Sequence, residues 1–481
     1  MKVHEKLFIG GAWVAPAGSE VIEVISPHSE ELVGRVPEGT NADIDRAVAA
    51  ARMAFDEGEW PRMSPEERIA AVQRFSDLYA ARMMEMAQII TTEMGSPISF
   101  SQLAQAPAAW MMLNTFITEA QNYPWEDERT GMLGTPVIVR GEGVGVVGAI
   151  VPWNVPQFVT MSKLAPALLS GSTIVIKPSP ETPLDAMLMA ELVEEAGFPE
   201  GVVSVIPAGR EVGEHLVRHR GVDKIAFTGS TAAGRIIGSI CGEQLKRVSL
   251  ELGGKSAAII LDDADIALTM QGLKFASLMN NGQACVAQTR ILASRANYDT
   301  VVEALAETVG AMSVGDPDDP TTEIGPLVAE RQQERVEKYI ALGQEEGARL
   351  VVGGNGRPAG IAKGWYVQPT VFADVDNSMR IAQEEIFGPV LTVIPYDDVD
   401  DAVRIANDSE FGLAGSVWTA DPTGAGMDVA RRVRTGTFGV NHYTMDFVAP
   451  FGGFKASGIG REFGREGLEH YIEQKTIVPQ A

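Results

Sequence analysis

One stretch of the sequence decides the fold class: Lys224-Ile225-Ala226-Phe227-Thr228-Gly229-Ser230-Thr231-Ala232-Ala233-Gly234. It runs from an apolar strand pattern, through a turn at Gly229, into a helical pattern that extends to Cys241. The first N–H groups of such a helix face the turn, where they and the helix dipole favour an anion. The turn is therefore a candidate phosphate site. The alternative is an ordinary turn in which Ser230 caps the helix.

The same alternation of strand and helix patterns extends on both sides of this stretch. Across residues 141–262 it predicts a parallel, doubly wound α/β sheet. Strands are expected at 144–151, 172–176, 202–206, 224–227, 248–250 and 257–261, and helices at 182–197, 211–219 and 230–241. Helices are also expected earlier at 41–57 and 64–93, and in a second α/β unit over 265–441 at 265–279, 298–312 and 329–346. A polar strip at 130–140 is typical of an extended excursion.

A second glycine motif, Gly143-Val144-Gly145-Val146-Val147-Gly148, matches the dinucleotide fingerprint G-x-G-x-x-G. That fingerprint follows a strand and opens a helix, whereas this one lies within a predicted strand and leads into Pro152. We therefore interpret the match as coincidence.

Length, charge and cysteine content limit the class of protein. With about 150 residues per domain, 481 residues predict two or three domains. Thirty-nine basic against 64 acidic residues give a net charge of −25, which disfavours nucleic-acid or anionic-membrane partners. Two cysteines exclude a disulfide framework and favour a reducing compartment. The N-terminus has no signal-peptide core, so we expect a cytoplasmic protein.

Two sets of residues are candidates for chemistry. Cys285, in Asn280-Asn281-Gly282-Gln283-Ala284-Cys285-Val286, is flanked by glycine and amides, as an accessible thiol would be. Cys241, within an apolar helix, is expected to be inert. Glu251 and Lys255 flank a Gly-Gly pair after a strand, and a surface ion pair would explain them equally well.

His215 and His219 lie four residues apart on a predicted helix and could in principle bind a metal. The glutamate of a zincin motif is missing, and Arg218 and Arg220 crowd the position. A solvated helix face is the better interpretation, and no metal site is expected.

Seven motifs, in this order and over essentially the whole chain, resemble those of the aldehyde dehydrogenase superfamily. They are Pro152-Trp153-Asn154-Val155-Pro156, Lys177-Pro178-Ser179, Phe227-Thr228-Gly229-Ser230, Glu251-Leu252-Gly253-Gly254-Lys255, Gly282-Gln283-Ala284-Cys285, Glu384-Glu385-Ile386-Phe387-Gly388-Pro389-Val390 and Phe451-Gly452-Gly453-Phe454-Lys455-Ala456-Ser457-Gly458. Each motif alone is weak, but their order is specific. The resemblance implies an NAD(P)-dependent oxidoreductase that converts an aldehyde to a carboxylic acid.

The resemblance also implies roles for individual residues. Cys285 would be the nucleophile that forms a thiohemiacetal and then a thioester. The Asn154 amide and the Cys285 N–H would form the oxyanion hole, and Glu251 would activate the hydrolytic water. The residues expected to bind the cofactor are Trp153, Lys177, Gly229, Ser230, Glu385 and Phe387.

The family's organisation predicts three structural parts. Residues 1–121 and 144–253 would form a Rossmann-like cofactor domain, 254–440 the catalytic domain, and 122–143 with 468–481 an oligomerisation flap; 441–467 would return near the active-site tunnel. An isolated strand pair is not stable, so we expect a partner subunit on the flap, in a homodimer or homotetramer.

One position departs from NAD-preferring relatives, which often carry a glutamate three residues after the lysine. Here that position is Pro180, followed by Glu181. We expect NAD to be preferred and NADP to be tolerated, with the Glu181 side chain facing solvent at the start of a helix.

The substrate is predicted from residues expected near the tunnel, which are mainly apolar and include neither Arg nor Lys. They are Trp110, Val155, Phe158, Val159, Ser162, Ala284, Val286 and Phe447. An apolar aldehyde (aliphatic, aromatic or terpenoid) is expected, although these side chains could equally be core. Two other functions remain open: a CoA-acylating aldehyde dehydrogenase, which typically lacks a carboxylate at the Glu251 position, and a non-catalytic structural protein on the same fold.

Overall fold

The structure, a computed structural model, describes residues 1–132 and 134–479. Its strands in chain order are β1 Lys2–Val3, β2 Leu7–Ile9, β3 Ala12–Val14, β4 Val21–Ile25, β5 Leu32–Pro37, β6 Glu126–Thr130, β7 Pro136–Gly143, β8 Val146–Ile150, β9 Thr173–Lys177, β10 Val203–Val205, β11 Lys224–Thr228, β12 Arg247–Glu251, β13 Ala257–Ile260, β14 Arg290–Ser294, β15 Arg349–Val352, β16 Thr370–Ala373, β17 Val390–Tyr396, β18 Gly415–Trp418, β19 Gly439–Val440, β20 Gly458–Ile459 and β21 Ile472–Ile477.

The α-helices in chain order are α1 Asn41–Asp56, α2 Pro65–Ala81, α3 Met83–Met94, α4 Ile98–Phe100, α5 Ala106–Asn122, α6 Pro156–Ser170, α7 Leu184–Ala196, α8 Arg210–Arg218, α9 Thr231–Gln244, α10 Ile266–Leu278, α11 Tyr298–Gly310, α12 Glu330–Glu345, α13 Arg380–Gln383, α14 Val399–Asn407, α15 Met427–Arg432 and α16 Gly464–Glu469. None of these helices is long and apolar enough to cross a membrane.

The first large sheet has the order β20-β12-β11-β8-β9-β10-β2-β3, and its central strands from β12 to β10 are parallel. Strand β8 is entirely buried, as expected where helices cover both faces of a parallel sheet. The chain passes from β8 outward through β9 and β10, then returns to add β11 and β12 on the other side. The strand order therefore reverses beside β8, and ligands bind at such switch points, beyond the carboxyl ends of the strands.

The second large sheet has the order β15-β16-β17-β14-β13-β18-β19 and is parallel except at β15. The mixed α/β fold of the prediction is confirmed by these two parallel sheets. Each sheet lies between two hydrophobic clusters. The first sheet packs against α6 and α7 on one face and α1 and α9 on the other, and the second against α12 and α14 and against α10 and α11.

Two small sheets complete the fold, β1-β5-β4 and β21-β7-β6. In the latter, β21 pairs antiparallel with β7 and places Gln474 opposite Gly141. The expected flap strands thus pair with each other, although residues 133, 480 and 481 of the predicted flap lie outside the described residues. The domain boundaries, and the flap's role in assembly, stay predictions.

The structure departs from the predicted helices in two ways. The helix expected at 64–93 is two helices, α2 and α3, which meet at Arg82. The Arg82 guanidinium contacts Glu85 of α3 and Glu191 of α7. Helices α5 and α6 were not predicted. Every residue of α6 is buried, so it lacks the polar face that reveals a helix in a sequence. The motif at 143–148 spans the end of β7 and the start of β8 and does not open a helix.

Candidate active site

A cleft at the carboxyl ends of the central strands contains two cavities that share the Trp153 side chain. One cavity, of about 280 Å³, is lined by Asn154, Cys285 and Glu385 among others. The other, of about 320 Å³, is lined by Lys177 and Glu181. Because Trp153 lines both, the cavities lie next to each other, and we refer to them together as the groove, with the thiol at one end and the buried lysine at the other.

Four of the predicted residues come at the ends of neighbouring strands, and three of them, Asn154, Lys177 and Gly229, line this groove. Glu251 ends β12, Gly229 follows β11, Asn154 follows β8 and Lys177 ends β9. These four strands are adjacent and parallel, so their carboxyl ends meet at one edge of the sheet. Residues separated by about a hundred positions in the sequence are brought together in this way.

The loop before Cys285 has an unusual backbone. Asn280, Asn281 and Gly282 adopt φ angles of 55°, 62° and 71°, all in the left-handed region. Asn281 fixes this loop by donating to the Gly95 and Pro326 carbonyls at 3.0 and 2.9 Å. A Cβ on Gly282 would lie 2.4 Å from the Gly388 carbonyl, so only glycine fits there. Such strain persists at functional sites because the surroundings hold it.

Asn154 is attached to that loop in both directions. Its side-chain nitrogen donates to the Gln283 carbonyl at 2.9 Å, and its own carbonyl accepts from the Asn280 side chain at 2.8 Å. A side-chain amide carries two N–H donors, so one remains beside the cavity that Asn154 shares with Cys285.

The Cys285 thiol is half-buried, whereas Cys241 is fully buried in α9. Burial, with the nearby Glu385 and Glu251 carboxyls, raises the pKa of Cys285 to about 12. The main-chain N–H groups of Cys285 and Val286 lower the pKa of the thiol, but by less than burial raises it. In this state the sulfur is a thiol, and a base must remove its proton.

Glu251 is the unsatisfied carboxyl of the site. It is 4% exposed, and neither carboxyl oxygen has a hydrogen-bond partner within residues 1–132 and 134–479. Burial and the neighbouring Glu462 raise the pKa of Glu251, while Lys163 and Arg461 oppose the shift. A carboxyl of this kind is a stronger base than an exposed one.

A buried ion pair lies behind Glu251. The Lys163 ammonium contacts Glu462 at 2.6 Å and donates to the Thr228 hydroxyl at 2.8 Å. Ser162 donates to the other Glu462 oxygen at 2.8 Å. Ser162 is thus buried and directed toward Glu462, and our expectation that it faces the tunnel is wrong.

The surface ion pair considered for Glu251 and Lys255 is excluded, because both side chains are buried. Within the described part of the chain, the Lys255 ammonium has no hydrogen-bond partner. Burial lowers the pKa of Lys255 to about 7, with Glu385 acting in the opposite direction. Glu385 accepts from the Gly254 N–H at 3.0 Å, and burial raises its pKa to about 7.

The remaining cofactor candidates lie along the groove. The Lys177 ammonium donates to the Pro178 and Ala208 carbonyls at 3.0 and 2.8 Å, and burial lowers its pKa to about 8. Ser230 caps α9 by accepting from Ala233 N–H at 3.3 Å, and its exposed position leaves the phosphate interpretation open. Phe387 meets Trp153 edge to face, with ring centroids 5.4 Å apart.

Glu181 does not face solvent, contrary to our expectation. Its side chain is 16% exposed, lines the Lys177 cavity and contacts Arg331 and Ser179. The physical reason lies at the start of α7, where the buried Glu93 carboxylate accepts from the Leu184 and Asp185 N–H groups at 2.8 and 2.9 Å. That helix end is already capped, so Glu181 is free to turn inward.

The other predicted tunnel residues line the thiol's cavity, flank Cys285 in the chain, or pack on the same large hydrophobic cluster. Val155 and Val159 line its cavity, and Trp110 and Phe447 pack on the same core cluster as Cys285. Phe158 packs on Phe447, with centroids 5.6 Å apart. Ala284 and Val286 are buried on either side of the cysteine.

The two histidines share one acidic neighbour on an exposed face. His215 Nε2 lies 2.6 Å from Asp45 and His219 Nε2 lies 3.5 Å from it. In the part of the chain that the structure describes, no group of three or more His, Cys, Asp or Glu side chains could hold a metal ion.

Sequence reasoning missed several residues of this site. Lys163 and Glu462 are about three hundred positions apart, so spacing gave no sign that they pair. Gln332 and Arg335 of α12 hold the loop of Glu385 and Phe387 through its carbonyls, with Gln332 donating to Phe387 at 2.8 Å and Arg335 to Glu385 at 2.5 Å. Asn280 precedes Gly282-Gln283-Ala284-Cys285 by two residues, so its side-chain amide is the one additional group that could have been recognised from the sequence as part of the site.

The chain as a whole is similar to proteins of known family and to solved structures. A model of the aldehyde dehydrogenase family matches residues 13–477. Geranial dehydrogenase of Castellaniella defragrans is 48% identical over 474 residues, which cover 98% of each chain. The crystal structure of a Mycobacterium tuberculosis aldehyde dehydrogenase complexed with NAD+ is 52% identical, with a TM-score of 0.97 over 100% of this chain and 99% of that one. An alanine variant of aldehyde dehydrogenase C from Pseudomonas syringae, complexed with NAD+ and octanal, is 42% identical, with a TM-score of 0.95 over 98% and 96% of the two chains.

Proposed function

The chain belongs to the aldehyde dehydrogenase family, and from this premise we propose that it oxidises an apolar aldehyde to the carboxylic acid with NAD, through a thioester on Cys285. One observation carries the proposal: Asn154, Cys285 and Glu385 line a single cavity, which shares Trp153 with the neighbouring cavity of Lys177. The nucleophile, an amide donor and the groove for a dinucleotide are thereby combined.

The residues of the groove fit NAD. Apolar Val217 and Ile237 line the Lys177 cavity, which suits an adenine base with the ammonium at its ribose. Glycines keep the floor of the groove clear, since a Cβ on Gly229 or Gly253 would come within 2.5 Å of Phe227 or Glu385. The α9 N-terminus with Ser230 suits the pyrophosphate, and Glu385 with Phe387 the nicotinamide end. Bound NAD accepts a hydride and becomes NADH.

The first covalent step belongs to Cys285. Glu251 takes the thiol proton, and the thiolate adds to the aldehyde carbon while the carbonyl π electrons move onto oxygen. The free N–H of Asn154 and the Cys285 N–H stabilise that alkoxide. The alkoxide electrons then re-form the carbonyl as the hydride leaves, which gives the thioester.

The second step belongs to Glu251, which releases its proton to solvent before hydrolysis. Its carboxylate then takes a proton from water, the hydroxide attacks the thioester carbonyl, and the carbon–sulfur bond breaks to release the acid and the thiolate. The raised pKa and the unpaired oxygens of Glu251 support this assignment. The nearby charges help to set how strong a base Glu251 is, because Glu462 raises its pKa and Lys163 lowers it.

An apolar substrate is supported by a group of aromatic side chains that belong to the same hydrophobic cluster as Cys285. Phe463 packs on Phe158, Phe447 and Phe451, with centroids 5.3, 5.8 and 4.8 Å away. These rings offer apolar contact and no charge that would bind a carboxylate or phosphate. Geranial, which gives one relative its name, and octanal, which is bound in the Pseudomonas syringae structure, are of this class.

The assay that tests the proposal compares octanal with 8-oxooctanoate, an aldehyde of equal length that carries a carboxylate. NADH formation should give octanal the higher kcat/KM by about tenfold or more, since an unpaired charge is rejected by an apolar pocket. Preference for the charged aldehyde would contradict the substrate class. With CoA present the product should remain free octanoate, and octanoyl-CoA would instead indicate the acylating reaction. No NADH with any aldehyde would favour a non-catalytic protein.

The sheet of β6, β7 and β21 supports a further part of the proposal, that the protein is a homodimer or homotetramer. Most residues of β6 and β21 are exposed, and a small three-stranded sheet with so much exposed surface is poorly stabilised alone. Light scattering coupled to size exclusion should give a dimer or tetramer mass, and a monomer would contradict it.

A further inference from the structure

An ion pair closes the adenosine end of the groove. Arg331, on the first turn of α12, lies 2.5 Å from Glu181 in the loop after β9. Strand β9 belongs to the first large sheet, whereas α12 packs on the core of the second. The pair therefore bridges the two halves of the molecule, and both side chains line the cavity of Lys177.

The Glu181 carboxylate is held by more than one group. Its second oxygen accepts a hydrogen bond from the Ser179 hydroxyl. Its negative charge favours the protonated form of the buried Lys177 and so raises the pKa of that lysine. The carboxylate is mostly shielded, at 16% exposed, while the arginine is 62% exposed and can move. The carboxylate is thus a fixed feature of the cavity, and the guanidinium is its exchangeable partner.

Neighbouring cations on the same side are already occupied. Arg335 donates to the Glu385 and Ile386 carbonyls, and Lys338 contacts Glu334 at 3.2 Å. Arg331 is the member of this helix face whose partner lies inside the cavity. A ligand anion that enters the cavity would therefore meet Arg331 together with Glu181.

We infer that Glu181 and Arg331 set the choice between NAD and NADP, and that they act in opposite directions. This rests on the proposed use of NAD. The Glu181 carboxylate accepts hydrogen bonds from ribose hydroxyls and repels a 2′-phosphate, as a glutamate at position 180 would. Arg331 weakens that repulsion by neutralising the carboxylate, and its guanidinium is an alternative partner for the phosphate.

Binding and turnover of both cofactors in three variants test the inference. Dissociation constants for NADH and NADPH are measured from nicotinamide fluorescence, and kcat/KM with NAD and NADP from octanal oxidation. Glu181→Gln should shift the NADP-to-NAD ratio toward NADP by about tenfold, and Arg331→Gln should shift it toward NAD by about fivefold. Lys338→Gln removes the same charge from the same helix face without reaching the cavity, and should leave the ratio within about twofold.

Several outcomes would overturn the inference. Shifts in the same direction for both variants, or no shift in either, would remove the pair from cofactor choice. A ratio that responds to Arg210→Gln instead of Arg331→Gln would assign the phosphate to Arg210, the other arginine on this cavity. A wild type that binds and uses NAD while the ratios stay fixed refutes this inference alone. A wild type that neither binds nor uses either cofactor refutes the proposed function.

Discussion

The side-chain amide of Asn280 donates a hydrogen bond to the main-chain carbonyl of Asn154 at 2.8 Å. This bond joins the loop after β8, in the first sheet, to the loop that carries Cys285. With the return bond from Asn154 to Gln283, it fixes the distance between the proposed oxyanion donor and the nucleophile. Such preorganisation lets a donor act without rearrangement during the reaction.

Asn154→Ala should therefore lower kcat by about 10²–10³-fold, the usual loss on removing one oxyanion donor. KM should change little, because the interaction develops with the alkoxide. Steady-state NADH formation gives both constants, and the melting temperature separates a catalytic loss from unfolding. An unchanged kcat in a folded variant would place the oxyanion donor elsewhere.

The raised pKa of Cys285 predicts slow alkylation that accelerates with pH in the cofactor-free enzyme. Since the thiolate reacts and its pKa is about 12, the iodoacetamide rate should rise about tenfold per pH unit up to pH 10, without a plateau. Mass spectrometry should locate the label on Cys285. A plateau near pH 7 would show that the thiol is already ionised.

Cys285→Ala should abolish aldehyde oxidation and leave NADH binding nearly unchanged, since only the covalent step needs sulfur. Cys241→Ala is the matched control, and should change stability alone because Cys241 is fully buried in α9. Retained turnover in the Cys285 variant would exclude the thioester mechanism.

Much of the site could be predicted because its parts follow strands. Each of Asn154, Lys177, Gly229 and Glu251 comes at or after a strand in the sequence, and parallel strands place such residues at one edge. The order of motifs supplied Cys285 and Glu385 from the second unit. The local patterns alone left other interpretations open for these residues, and the order of the motifs along the chain was needed to choose between them.

The parts that could not be predicted depend on contacts between distant segments. The burial of α6 on every side removed its helical periodicity. The inward turn of Glu181 depends on Glu93, which caps α7 from a helix about ninety residues earlier. The pairing of Lys163 with Glu462 likewise has no local signal.

Glu251→Gln should lower steady-state turnover by about 10²–10⁴-fold, as expected on losing a general base. Because Glu251 also takes the thiol proton in the proposed mechanism, the initial burst of NADH should be lost and no acyl-enzyme should accumulate by intact mass. A full burst with accumulated acyl-enzyme would restrict Glu251 to hydrolysis of the thioester. Glu243→Gln, on the exposed surface of α9, changes the same charge and should leave turnover unaffected.

The ion pair behind Glu251 predicts two opposite pH shifts. Turnover needs the Glu251 carboxylate, so kcat should rise as pH increases through its pKa. Glu462 raises that pKa and Lys163 lowers it. Glu462→Gln should therefore move the acid limb of kcat to lower pH, and Lys163→Gln should move it to higher pH. Both leave a buried charge unpaired, at a cost of about 3–5 kcal/mol. If the acid limb of kcat moved by the same amount and in the same direction in both variants, the effect would be purely structural.

Gly282 should tolerate alanine far less than Gly347 does, although both adopt left-handed backbone angles. Its φ is 71°, and an added Cβ would lie 2.4 Å from the Gly388 carbonyl, so the loop before Cys285 must move. Gly347, at the end of α12, has a φ of 92° and no atom within 4 Å of such a Cβ. Gly347→Ala therefore costs only the backbone strain, about 1–2 kcal/mol, whereas Gly282→Ala adds a collision with main-chain atoms.

The comparison of these two variants separates strain from displacement of the nucleophile. Gly347→Ala should lower the melting temperature slightly and keep full kcat, because Gly347 follows the C-terminal end of α12, whereas Gln332 and Arg335, which contact the site, lie near its N-terminal end. Gly282→Ala should lower the melting temperature further and reduce kcat by at least about 10²-fold, since displacing a reacting group by 1 Å has that effect. Calorimetry and NADH formation measure both. Equal kcat values in the two variants would mean that the Asn280–Gly282 turn does not position Cys285.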